Sequence, residues 1–128
     1  MIVESDTFRL LIDEFKEMKE EYDKDITELD YAKEFPCLFY LCCFTPYIIE
    51  QLDNDNKSEL KKIFAFIERL LAEGDKDVKD IVLESVLEAI YHDYDFANYE
   101  DVVFDLCGKL TRKVFENELM KQQQTATA

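Results

Sequence analysis

Two glycines, two prolines, one histidine and no tryptophan are few for 128 residues. Each shortage excludes something. A β-sandwich or barrel turns often, and its turns draw on Gly and Pro; two of each favour a few long helices. A zinc site needs several Cys or His ligands at short spacing, and His92 stands alone while none of Cys37, Cys42, Cys43 and Cys107 forms a C-x-x-C pair. No glycine-rich phosphate loop can be drawn around Gly74 and Gly108. Long apolar runs are missing too. The most apolar stretch, Phe35 to Ile49, has fifteen residues, contains Pro36 and Pro46 and is bounded by Glu34 and Glu50. A membrane span takes about 20, so this stretch reads as a buried helix. The acidic start Met1-Ile-Val-Glu lacks the basic and apolar regions of a secretory signal.

Acidic charge is abundant. Thirty Asp and Glu face fifteen Lys and Arg, a formal charge of −15. Solubility asks for a net charge of about 2–8 in a small domain, so the excess points to a basic partner. The same charge is repelled by nucleic acid and by anionic lipid, which argues against direct nucleic-acid or membrane binding. Apolar residues are 48% of the chain, with ten Phe and seven Tyr. That supports one packed domain over 1–120 rather than a disordered chain. The four cysteines lie among apolar neighbours and read as reduced core thiols of a cytoplasmic protein.

Periodicity predicts an all-α fold of five to six helices. Phe8, Leu11, Ile12, Phe15, Met18 and Tyr22 form one stripe of a first helix over 7–24, capped by Ser5 or Asp6. Residues 25–34 read as an acidic connection. Pro36 suits the first turn of a second helix over 36–52, apolar all round, with a kink near Phe44-Thr45 imposed by Pro46. Asn56 and Glu59 have the spacing of a capping box for a third helix ending at Glu73. Its stripe is Leu60, Ile63, Phe64, Ile67, Leu70 and Leu71. Gly74 is placed as a C-terminal residue of positive φ, and Asp75 as the cap of a fourth helix over 76–92. A last helical segment over 99–120 meets Gly108, and the tail 121–128 (KQQQTATA) is expected to be disordered. Two helical hairpins at a spacing near 40 residues suggest a small HEAT-like stack, or else a compact irregular bundle.

No catalytic constellation stands out, and the chain reads as no enzyme. His92 has no neighbouring nucleophile in sequence and reads as an exposed helix-terminal residue. Asp53-x-Asp55 opens like a calcium loop, but Lys57, Ser58 and Phe64 occupy its fifth, sixth and twelfth positions. Glu88 and His92 are four apart rather than three, unlike the Glu-x-x-His of di-iron bundles. No metal and no cofactor is expected. The best local signal is the segment 91–101, YHDYDFANYED, in which aromatics alternate with carboxylates. Tyr91, Asp93, Tyr94, Asp95, Tyr99, Glu100 and Asp101 are therefore the candidate partner-binding residues. Tyr brings large contact area at little entropy cost, and carboxylates steer a basic partner; the alternative for each residue is that the aromatics dock the loop on the core while the acids are merely solvated. A second candidate is the acidic face of the first helix, with Asp13, Glu14, Glu17, Glu20 and Glu21, continuing into Glu28 and Asp30.

Residues 60–71, LKKIFAFIERLL, followed by 73–90, EGDKDVKDIVLESVLEAI, resemble a group of small acidic helical bacterial proteins. Several of these are regarded as immunity proteins of contact-dependent or other polymorphic toxin systems. The resemblance covers roughly 36–119. The group follows its helix, Gly-Asp, helix core with a Leu-Gly-Pro-Lys segment; here 106–110 reads LCGKL, without the proline. The resemblance implies binding to a cognate, basic toxin, with a nuclease as the expected class. It supplies no motif of functional residues. A HEAT-like adaptor for a partner unrelated to toxins is the alternative.

Overall fold

The computed structural model describes residues 1–18, 20, 36–93 and 96–126. Six principal helices run through them: α1 (Glu4–Glu14), α2 (36–53), α3 (Lys57–Glu73), α4 (76–91), α5 (Phe96–Leu106) and α6 (Lys109–Ala126). No strand occurs among the described residues. A single parallel bridge joins Ile2 to Gly74.

The fold is a small all-α bundle built around α3, which packs on α2, α4, α5 and α6. Of the two expected architectures this is the irregular bundle. The predicted stripe of α3 is fully in the core, and Phe66 adds a second buried side. A helix in contact with four others has to be apolar over more than one stripe.

Helix α1 begins three residues earlier than expected. Asp6 is its third residue, and its carboxylate accepts from the Val3 N–H at 3.3 Å. The helix breaks at Phe15, whose backbone is extended (φ −123°, ψ 104°). Helical backbone resumes over 16–18 and at 20, while residues 19 and 21–35, with the rest of the expected helix and its connection, lie outside the described residues. The break has a packing cause. It seats the Phe15 ring 5.2 Å from Phe44 and 5.4 Å from Phe66, so aromatic burial outweighs one turn of helix.

Helix α2 does not kink apart at Pro46. Its turn over Tyr40–Phe44 widens into a π-turn, and the Thr45 N–H donates to the Tyr40 carbonyl. Pro46 offers no N–H to the Cys42 carbonyl, and the wide turn absorbs that defect. Nor is α2 buried all round: Leu41, Cys42 and Pro46 face outward. Cys37, Cys43 and Cys107 are half-buried and pack against the core, whereas Cys42 is exposed, a correction to its placement in the core.

Two further expectations fail on geometry. Gly74 has φ −76° and ψ 153°, not a positive φ. Glycine fits there for room, because a Cβ would stand 2.5 Å from both the Leu70 carbonyl oxygen and Val78 Cγ1. The Asn56–Glu59 capping box does not form. Asn56 instead donates to Gln51 Oε1 at 2.9 Å, and Glu59 accepts from the Tyr47 hydroxyl at 2.8 Å. By contrast, Asp75 does cap α4, accepting from the Val78 N–H at 3.0 Å.

Gly108 separates α5 from α6. The new N-terminus of α6 is capped from outside the helix. Glu68 of α3 accepts from the Leu110 N–H at 2.7 Å, the Thr111 N–H at 3.1 Å and the Thr111 hydroxyl at 2.9 Å. Helix α6 then continues to Ala126, where the composition suggested a disordered tail after Met120.

Candidate binding surface

Segment 91–101 is only partly the surface that its composition suggests. Tyr91 closes α4 and Phe96 opens α5, and both rings turn inward. Tyr91 lies 5.0 Å from Phe96, and Phe96 lies 5.5 Å from Phe115 of α6. Tyr99 is buried as well, its hydroxyl donating to the Asp53 carboxylate at the end of α2. Tyr91 and Tyr99 are thus core residues, which corrects their place among the partner-binding candidates in favour of the alternative that the aromatics dock on the core. The aromatic spacing reflects the docking of α5 and α6 on the bundle. Asp93 and Glu100 are half-buried and Asp101 is exposed. Tyr94 and Asp95 lie outside the described residues. His92 is exposed just past α4, its N–H donating to the Glu88 carbonyl at 2.9 Å.

The acidic face of the first helix leads to a more defined site. Glu17 and Glu20 form one wall of a groove of about 640 Å³, completed by Cys42, Pro46, Tyr47 and Glu50 of α2 and by Glu59 of α3. Glu28 and Asp30, expected to extend this face, lie outside the described residues. Four carboxylates from three separate segments thus converge around one phenol. Three of them, Glu17, Glu50 and Glu59, add to the effect of burial on Tyr47. Burial, the hydrogen bond to Glu59 and the negative charges of Glu59, Glu17 and Glu50 all push its hydroxyl far above the ordinary tyrosine range. Sequence reading found the helical face but not the groove. The Glu50 and Glu59 walls depend on how α2 turns into α3, which no local pattern encodes.

Ion pairs among the described residues neutralise little of the acidic charge. The ion pairs among the described residues are Arg9–Asp13, Arg69–Glu73, Arg112–Glu116 and Glu118–Lys121, all exposed or at the surface and three or four residues apart. Such pairs contribute only about 0.3–0.5 kcal/mol each. None involves a groove carboxylate. No group of His, Cys, Asp and Glu able to hold a metal occurs among the described residues. No described helix is long and apolar enough to cross a membrane.

An all-α bundle with a concave, electronegative surface is the class that this geometry defines. The chain belongs to the family described as a domain of unknown function, DUF7674, which matches residues 8–123. No curated protein and no solved structure matches it.

Proposed function

We propose that the protein is a non-catalytic binding protein that neutralises a basic partner, in the manner of an immunity protein blocking its cognate toxin. The observation that carries this reading is the acidic groove of Glu17, Glu20, Glu50 and Glu59, in a chain of charge −15, where no ion pair among the described residues involves those carboxylates. A nuclease must attract phosphates, so its substrate cleft is basic. A protein surface with carboxylates at similar spacing can occupy that cleft in place of the nucleic acid. The toxin part of the proposal rests on the resemblance of 60–71 and 73–90 to acidic immunity proteins. A cytoplasmic location belongs to the same proposal, because such an inhibitor acts inside the producing cell.

The first test is purification from native cells with mass spectrometry of whatever co-elutes. A basic, toxin-like protein supports the reading, whereas a neutral or acidic housekeeping protein favours an adaptor. With that partner in hand, two sets of variants locate the contact. Glu17→Gln, Glu20→Gln and Glu50→Gln together should weaken binding by at least about tenfold and flatten its salt dependence. Asp93→Asn, Glu100→Gln and Asp101→Asn test the 91–101 segment in the same way. Unchanged affinity and salt slope in both sets would sink the electrostatic proposal.

A further inference from the structure

We infer that the acidic groove seats an extended, arginine-bearing segment of the partner protein, and that a backbone carbonyl of that segment accepts from the side-chain amide of Gln51. The inference rests on the binding role proposed above and narrows the partner from a basic surface to a basic peptide segment.

The walls of the groove select a cation. Glu17, Glu20, Glu50 and Glu59 line it, and no Lys, Arg or His joins them among the described residues. Smaller cavities of the molecule differ: Lys57 lines one, Lys79 and Lys113 another, Lys121 a third, and Lys62 and Arg69 a fourth. At about 640 Å³ the acidic groove falls within the range of about 300–1,000 Å³ typical of sites that enclose a ligand. Tyr47 is half-buried in its wall, and its hydroxyl already donates to Glu59, so the ring is what it offers. A planar guanidinium stacks on such a ring and pairs bidentately with carboxylates, whereas an ammonium acts as a point charge.

Gln51 selects a peptide among cations. It is only 8% exposed, yet it lines the groove. Its Oε1 accepts from Asn56 Nδ2 at 2.9 Å, and the Ser58 hydroxyl donates to Asn56 Oδ1 at 3.2 Å, which orients both carboxamides. Gln51 Nε2 is left without an acceptor among the described residues. No sealed side-chain nitrogen or oxygen among them lacks a partner, so this amide opens onto the groove rather than into the core. An open donor in a largely buried side chain calls for an acceptor. Polyamines and metal cations bring none, while each residue of a peptide brings a backbone carbonyl. In an extended segment those carbonyls are free of helical bonds, and arginines two residues apart point to the same side.

The probe is a capped, labelled peptide with arginine at alternate positions and serine between them, titrated by fluorescence anisotropy. Spermidine, which has charge but no carbonyl, is the comparison, titrated by calorimetry. Gln51→Glu keeps an acceptor for Asn56 and exchanges the open donor for another carboxylate. Recognition by charge alone predicts that this variant binds the peptide more tightly. The expected result is the reverse: peptide binding weaker by about three- to tenfold, from the lost hydrogen bond, with spermidine binding strengthened. In the native chain, saturating peptide should shift the Gln51 side-chain amide signals in a nitrogen–proton NMR spectrum, a readout that decides alone if the variant does not fold. Citrulline in place of the arginines should abolish binding. Peptide affinity unchanged or raised in Gln51→Glu, or Gln51 amide signals that stay in place at saturation, would overturn the inference and leave the electrostatic reading of the groove standing. Absence of peptide binding at about 1 mM would also overturn it, and the electrostatic reading would then be judged on the native partner and the Glu17, Glu20 and Glu50 variants.

Discussion

Tyr40 shows how much a single side chain carries in this fold. Its ring is wholly buried, and its hydroxyl donates to the Thr7 carbonyl at 2.9 Å, joining α2 to α1. Burial raises the hydroxyl well above its ordinary range, and Tyr47 and Tyr91 are raised with it. These phenols stay protonated in the folded chain, while the unfolded chain begins to release its protons near pH 10. Their contribution is therefore complete below about pH 10 and is lost as the pH rises through the higher folded values. Urea unfolding followed at pH 8, 10 and 11 should show stability falling over the last interval. Tyr40→Phe should cost about 1–2 kcal/mol at pH 8, from the orphaned Thr7 carbonyl, and make the alkaline fall shallower. An unchanged alkaline slope in that variant would show that Tyr40 is not one of the groups responsible. Gly108 poses the complementary case of an absent side chain. A Cβ there would lie 2.3–2.6 Å from the Glu68 side chain. That side chain holds three donors at the start of α6. Gly108→Ala should displace the cap, and Glu68→Ala should delete it. Each should cost about 1–2 kcal/mol in a denaturant titration. The double variant should be less destabilised than the sum of the two, since both remove one interaction. Simple additivity would mean that Gly108 serves some other contact. A glycine between two helical stretches was legible in sequence, but the Glu68 carboxylate, 40 residues upstream of it, was not.

Between the elements, the join that matters most is that of two π-turns. Tyr40–Phe44 in α2 and Val82–Leu87 in α4 pack against each other. The buried Thr45 hydroxyl donates to the Ser85 carbonyl at 2.7 Å across that contact. Thr45→Val keeps the shape and removes the donor, so it should lower stability by about 1–2 kcal/mol. Thr45→Ser, which keeps the hydroxyl, should recover most of that loss. A Thr45→Val variant as stable as the native chain would show that the hydrogen bond contributes little, and a larger loss in Ser than in Val would assign the effect to packing of the methyl. Only one of the two turns was legible in advance. Pro46 announces a disturbance in α2, because a missing N–H and a ring clash are local facts about one residue type. Nothing in VLESVL marks the second, and the contact it makes with α2 is visible only in three dimensions. Phe15 teaches the same lesson. Its place in a 3.6-residue stripe is sound, and Phe8, Leu11 and Met18 around it are all buried. Yet the helix breaks there, because the stripe reports which residues go inside and not whether the backbone between them stays helical. The candidate site divides along the same line. The carboxylates of the first helix could be read from the sequence as a face, while the inward turn of Tyr91 and Tyr99 came from aromatic partners on α6 and an acceptor on α2.

At the scale of the whole molecule, charge acts in opposite directions on folding and on binding. A net charge of −15 on a bundle this small is self-repulsive, and the short-range pairs among the described residues offset little of it. Added salt screens that repulsion: the Debye length falls from about 30 Å at 0.01 M to about 8 Å at 0.15 M. Thermal stability should therefore rise along a sodium chloride series, by about 4 °C for each kcal/mol of repulsion removed. The same screening weakens attraction between the acidic groove and a basic partner, so affinity should fall along the series that strengthens the fold. Opposed slopes have a structural meaning. They say that the carboxylates are a burden to the folded chain and are useful only when a cationic surface meets them, as expected of a protein built to be neutralised by its partner. Gln in place of Glu17, Glu20 and Glu50 should then raise the melting temperature at low salt while weakening the complex. If stability instead falls with salt, the carboxylates are engaged in stabilising pairs within the fold. The excess charge would then need a structural explanation, and the argument for a basic partner would lose its main support.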